Sequence, residues 1–135
     1  MSDPVLILAL LYGAFFAHLG FSIPNLPERV ATHFQFNGQA DGWMTRFGYG
    51  VTVVVMGLAI PLLPPAATMF FIRGPVLRAI VWSSCLTLAF LFAVHVLTLH
   101  ANRQAPPRLS KAFWGVLLLF GVGMIAWVSY LGRIA

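Results

Sequence analysis

Four stretches of this chain, residues 4–23, 47–72, 75–100 and 112–131, are continuously apolar and contain no Asp, Glu or Lys. A hydrocarbon core about 30 Å thick is crossed by about 20 helical residues at 1.5 Å each. Each stretch is long enough to cross. Only helices and closed barrels satisfy their backbone polar groups in lipid, and runs of this length select helices. The lone Arg inside a span, Arg78, lies near the start of the third, where its stem can lie along the apolar surface while the guanidinium reaches water. The expected fold is an all-α integral membrane protein, a four-transmembrane-helix bundle forming a single membrane domain over residues 1–135. The composition agrees. Only 8% of the residues are charged, against roughly a quarter in soluble domains, and mean hydropathy is +0.90.

The net charge of +5 fits lipid headgroups better than nucleic acid, for which no partner role is expected. Cys85 is the only cysteine and lies in an apolar run, which excludes an intrachain disulfide and assigns it to packing. Span two is longer than a bilayer needs and holds Pro61, Pro64 and Pro65, so a kink or a short unwound piece is expected at residues 60–65. Small residues recur every fourth position as Ala9, Gly13 and Ala17 on span one and as Ala79, Ser83 and Thr87 on span three. Such stripes let helices approach closely. Packing inside the bundle is the expectation, and an oligomer or partner face is the alternative.

The polar residues concentrate in the segment 24–46, PNLPERVATHFQFNGQADGWMTR, which carries two of the three acidic residues, Glu28 and Asp41, and one of four histidines, His33. Residues 26–30 suit a short helical turn, and residues 31–36 read as a strand. Asn37-Gly38 is a two-residue hairpin signal because both positions tolerate positive φ. Asp41-Gly42 suggests a second turn, and Trp43 and Phe47 suit the membrane interface. A small hairpin-like cap between helices 1 and 2 follows, with His33, Phe34, Asn37, Gly38, Asp41, Gly42 and Trp43 as its candidate binding residues. His33 and Asp41 have the chemistry of a base and its orienter, or, on the plainer reading, of a turn-forming carboxylate and a packed imidazole.

The pattern Leu26-Pro27-x-x-Val30-x-x-His33-Phe34-x-x-x-Gly38-x-x-Asp41-Gly42-Trp43 resembles the signature of a bacterial membrane domain family of uncharacterised function. That domain also occurs in the immunity proteins that protect cells from the sporulation-delaying toxin. The resemblance covers the end of span one, the cap and the start of span two. It implies a multi-pass protein of the bacterial inner membrane with an extracytoplasmic cap. The charge count points the other way. Arg29, Arg46, Arg103, Arg108 and Lys111 fall on the cap side, and Arg73, Arg78 and Arg133 on the other, whereas basic loops favour the cytoplasm. The immunity proteins also carry further spans with an Asn/Arg-rich motif that residues 101–135 lack.

His18, His95 and His100 lie toward the same membrane face as His33, so a haem or metal site is a further candidate. His95 and His100, however, are five residues apart, roughly 140° around a helix. Ser, Cys and Thr residues lack an evident base and orienter, and the spans hold no carboxylate for proton-coupled transport. A non-catalytic, immunity-like binding protein without a cofactor is therefore expected, its cap engaging an external peptide or partner. An accessory subunit of a larger membrane complex, or a homo-oligomer, is the alternative, and a haem or metal carrier using His18, His33, His95 and His100 the second.

Overall fold

The computed structural model describes residues 3–134 and contains four helices: α1 (Pro4–Ser22), α2 (Arg46–Thr68), α3 (Pro75–Asn102) and α4 (Ala112–Ile134). All four are long and apolar enough to cross a membrane. Between α1 and α2 lies a two-stranded antiparallel sheet of β1 (Arg29–Phe34) and β2 (Ala40–Thr45). The expected membrane bundle with a hairpin cap is the observed fold.

Local chemistry sets the helix starts. Asp3 accepts a hydrogen bond from the Val5 amide at 2.9 Å, and Pro4 occupies the first turn, where no backbone donor is needed. Thr45 caps α2 through the Gly48 amide at 3.0 Å. Gly74, at φ 73°, turns the chain into Pro75 of α3.

α3 is the central helix and packs against α1, α2, α4 and β1. One core joins Leu8, Phe15 and Leu19 of α1 to Val81, Cys85 and Leu88 of α3. A second lies under the cap, where Leu26 and Val30 meet Tyr49 and Leu99. The cap is thereby docked onto the helix ends. Asn102, at the end of α3, secures it further: its side chain accepts from the Ala31 amide at 2.7 Å and donates to the Ala31 carbonyl at 3.0 Å. α4 is held more loosely, by stacking of Phe90 on Phe120 at 4.0 Å and by a 2.8 Å hydrogen bond from Trp127 to Ser83.

Several local expectations need correction. The short helical turn forms at Ile23–Asn25, upstream of residues 26–30. Only Gly38 of the Asn37-Gly38 pair has positive φ, at 84°. The Gly38 amide bonds the Gln35 carbonyl at 2.8 Å and the Gln35 amide bonds the Gln39 carbonyl at 2.9 Å. That is a three-residue loop closed by a left-handed glycine, in place of the two-residue turn. Asp41 and Gly42 lie within β2, at a register irregularity opposite His33, where side chain and backbone crowd. A Cβ on Gly42 would stand 2.6 Å from that of His33.

Helix α2 runs unbroken through Pro61, Pro64 and Pro65 and ends at Thr68, so no unwound piece occurs there. A proline at 61 cannot donate to the Gly57 carbonyl one turn earlier. The Tyr12 hydroxyl supplies the missing donor, at 2.8 Å. Gly57 also makes room for Phe15, whose ring a Cβ would meet at 2.5 Å. Of the two small-residue stripes, Ala79 is buried, and Ser83 and Thr87 are half-buried. Ala9, Gly13 and Ala17 face outward instead, because α1 packs on α3 through Leu8, Phe15 and Leu19.

Candidate functional site

The hairpin loop carries its side chains out over the start of α4. His33, Phe34, Gln35, Phe36, Asn37 and Asp41 line an open groove of about 660 Å³ whose far wall is Trp114. Phe36 is 91% exposed yet stacks on Trp114, with ring centroids 5.4 Å apart and planes at 13°. Exposed aromatic surface of this kind, held on a fixed backbone, is how proteins anchor partners. At the rim His33 and Asp41 pair through Nδ1 and Oδ1 at 2.5 Å. The hydrogen bond from His33 holds the Asp41 carboxyl below its ordinary value, local desolvation opposing it. An ionised Asp41 accepts, so His33 donates through Nδ1.

The loop is fixed from behind. The Leu109 amide donates to the Gly38 carbonyl at 2.9 Å, and Gln39 pairs with Arg108 as an isolated bridge. A Cβ on Gly38 would lie 2.7 Å from the Leu109 carbonyl oxygen, so this glycine serves both the left-handed turn and the close approach.

Of the candidate cap residues, His33, Phe34, Asn37 and Asp41 come together in the groove. Gly38 and Gly42 support it from the backbone, and Trp43 lies outside its lining. Gln35, Phe36 and Trp114 complete it. Phe36 was legible as an aromatic within the cap. Trp114 carries no signal in the sequence, because its partner lies three elements away.

The histidines divide. His18 and His95 are neighbours, with ring centroids 5.4 Å apart and planes at 87°. His33 is on the cap, and His100 is exposed at the end of α3. His95 is buried with both nitrogens engaged, Nδ1 with the Tyr49 hydroxyl at 2.7 Å and Nε2 with Ser22 Oγ at 3.1 Å. Nδ1 of His18 is buried without a hydrogen-bond partner. Among the described residues no three of His, Cys, Asp or Glu lie close enough to share a metal ion. Ligation by His95 would have to displace Tyr49 or Ser22.

Residues 5–58 match the model of a family described as a domain of unknown function, DUF1648. The chain is similar to that family over α1, the cap and the first half of α2. All the cap residues named above fall within the match, whereas His95, Asn102 and Trp114 fall outside it. No curated protein and no solved structure matches the chain.

Proposed function

We propose that this chain is a non-catalytic, immunity-like membrane protein of the bacterial inner membrane whose extracytoplasmic cap binds a peptide. The Phe36–Trp114 stack carries the reading. It presents an exposed aromatic face beside the ionised Asp41 and the side-chain amides of Gln35 and Asn37. That combination suits an extended segment with an apolar anchor and donor groups flanking it. The resemblance of the Leu26–Trp43 pattern to toxin-immunity proteins supports a peptide as the occupant.

A displayed random-peptide library, panned on the full chain in lipid nanodiscs, tests this. Enriched peptides should share an aromatic or aliphatic anchor and lose about tenfold or more in affinity on Trp114→Ala, as for a buried aromatic anchor. Gln104→Ala, outside the groove, should leave binding intact. Enrichment indifferent to Trp114 and Phe36 would remove the proposal.

One observation favours a second reading, an accessory subunit or homo-oligomer. Ala9, Gly13 and Ala17 form an outward stripe on α1, and among the described residues a Cβ built on Gly13 would meet nothing within 4 Å beyond its own helix backbone. A neighbouring helix could approach there closely.

A further inference from the structure

A cavity of about 420 Å³ runs down from the cap between α1, α2 and α3. Its lining changes character with depth. Tyr49 and Thr52 stand three and six residues from the start of α2 (Arg46), and Thr98 and His95 four and seven from the end of α3 (Asn102). At 1.5 Å per residue these polar groups lie within about 10 Å of the cap end. Below them come Val53, Met56, Val94 and Leu91, with Phe15 of α1. Leu91 and Met56 are about 15–17 Å down, near the middle of a bilayer.

The polar end offers acceptors. Thr52 and Thr98 each spend their single hydroxyl proton on their own helix, donating to Gly48 and Val94 carbonyls at 2.9 Å. The Tyr49 hydroxyl is bonded to His95 Nδ1 at 2.7 Å, and His95 Nε2 lies 3.1 Å from Ser22 Oγ. Thr52 and Thr98 thus face the space with lone pairs to give and their protons spent, with Tyr49 beside them and Thr32 at the cap end. In a site walled by hydrocarbon such oxygens gain most from a ligand that donates.

We infer that this cavity is a binding site for an amphiphile, with an apolar tail reaching toward the bilayer centre and a hydrogen-bond-donating head, a hydroxyl or an amine, among Tyr49, Thr52 and Thr98. The gradient fixes the orientation. Thr52 and Thr98, their protons spent, favour a head that donates over an ether, which has no proton to give. Size and composition fit small-molecule sites, mostly apolar with a few convergent polar groups. The site goes beyond the cap groove and does not depend on it, although His33 lines both.

The probe is hexadecanol bearing a photoactivatable diazirine in its chain, applied to the full chain in detergent, with the corresponding methyl ether as comparison. Labelling should saturate at about one probe per chain and map to Met56, Leu91 or Val94, as a single pocket requires. The ether should label about tenfold less, the worth of one strong hydrogen bond. Thr52→Val/Thr98→Val keeps shape and removes two acceptors, and should reduce labelling about tenfold or more. Val94→Trp should abolish it by filling the space. Phe36→Ala, which disables the cap groove, should leave it unchanged, so that failure of either site is seen separately. Lipid extracts of gently purified protein identify the source: a recovered hydroxyl- or amine-headed lipid makes it the membrane, and a chain that extracts bare yet labels makes it an external supply. Equal labelling by alcohol and ether, labelling unaffected by the threonine double substitution, or label spread over outward residues such as Leu118 would overturn the assignment.

Discussion

Asn102 fastens the docked cap to the end of α3, because it satisfies both polar groups of the Ala31 backbone, which is itself fully buried. Asn102→Leu leaves a buried amide and a buried carbonyl without partners, at a cost of about 2–4 kcal/mol. Hydrogen exchange should show the Ala31 amide losing protection, while Arg103→Ala, on an exposed neighbour, leaves it unchanged. The His33–Asp41 pair predicts a pH effect of definite sign. The Asp41 carboxyl is held below its ordinary value of 3.8 by the hydrogen bond from His33. The pairing therefore favours the folded cap above that value, and is lost only as pH falls through the lowered one. A carbon-13 carboxyl titration should give an Asp41 midpoint under 3.8, moving back toward it in His33→Phe; an unmoved midpoint would show that His33 is not the cause. This pair was legible in the sequence because both residues lie in one short polar segment with strand alternation. Trp114 and Asn102 were not, since each acts across a long sequence separation that only the folded bundle closes.

At the scale of elements, α2 shows how a helix tolerates a proline. Pro61 leaves the Gly57 carbonyl without its usual donor, and Tyr12 of α1 donates to it. Tyr12→Phe should cost about 1–2 kcal/mol, the range for one interhelical hydrogen bond in a membrane. Pro61→Ala restores the backbone donor, so the same Tyr12→Phe change in that background should cost little. Thermal unfolding of the four proteins in detergent, read as a double-mutant cycle, should give a coupling of about 1 kcal/mol. Additive effects would mean the hydroxyl does not replace the backbone bond. The helices themselves were legible because hydrocarbon thickness sets a minimum length that an apolar run either meets or does not. Turn type was not, because Asn37-Gly38 serves a two-residue loop and a three-residue loop equally well, and the Leu109 carbonyl behind Gly38 fixes the outcome only in three dimensions. The small-residue stripe on α1 misled for a similar reason. Spacing places Ala9, Gly13 and Ala17 on one face, but which face meets α3 was decided by the larger side chains of Leu8, Phe15 and Leu19.

For the whole molecule the open quantity is orientation, and two physical arguments oppose each other. Four spans place the cap and the α3–α4 connection on one side, and their contact through Gly38 and Leu109 joins them there. That side carries five of the eight basic residues, Arg29, Arg46, Arg103, Arg108 and Lys111, which by the charge rule favours the cytoplasm. The proposed peptide-binding groove can meet an external peptide only from the other side. We predict the second orientation, with both termini cytoplasmic. Cys85 is the only native thiol and is buried, so Cys85→Ala provides a clean background. In it, Gln39→Cys on the cap should react with a membrane-impermeant maleimide in intact cells, and Phe71→Cys, 88% exposed in the α2–α3 turn, only after lysis. The reverse pattern would place the groove in the cytoplasm and exclude an external peptide as its ligand. It would leave the amphiphile proposal standing, because the cavity's lining is the same in either orientation and either leaflet can supply a tail.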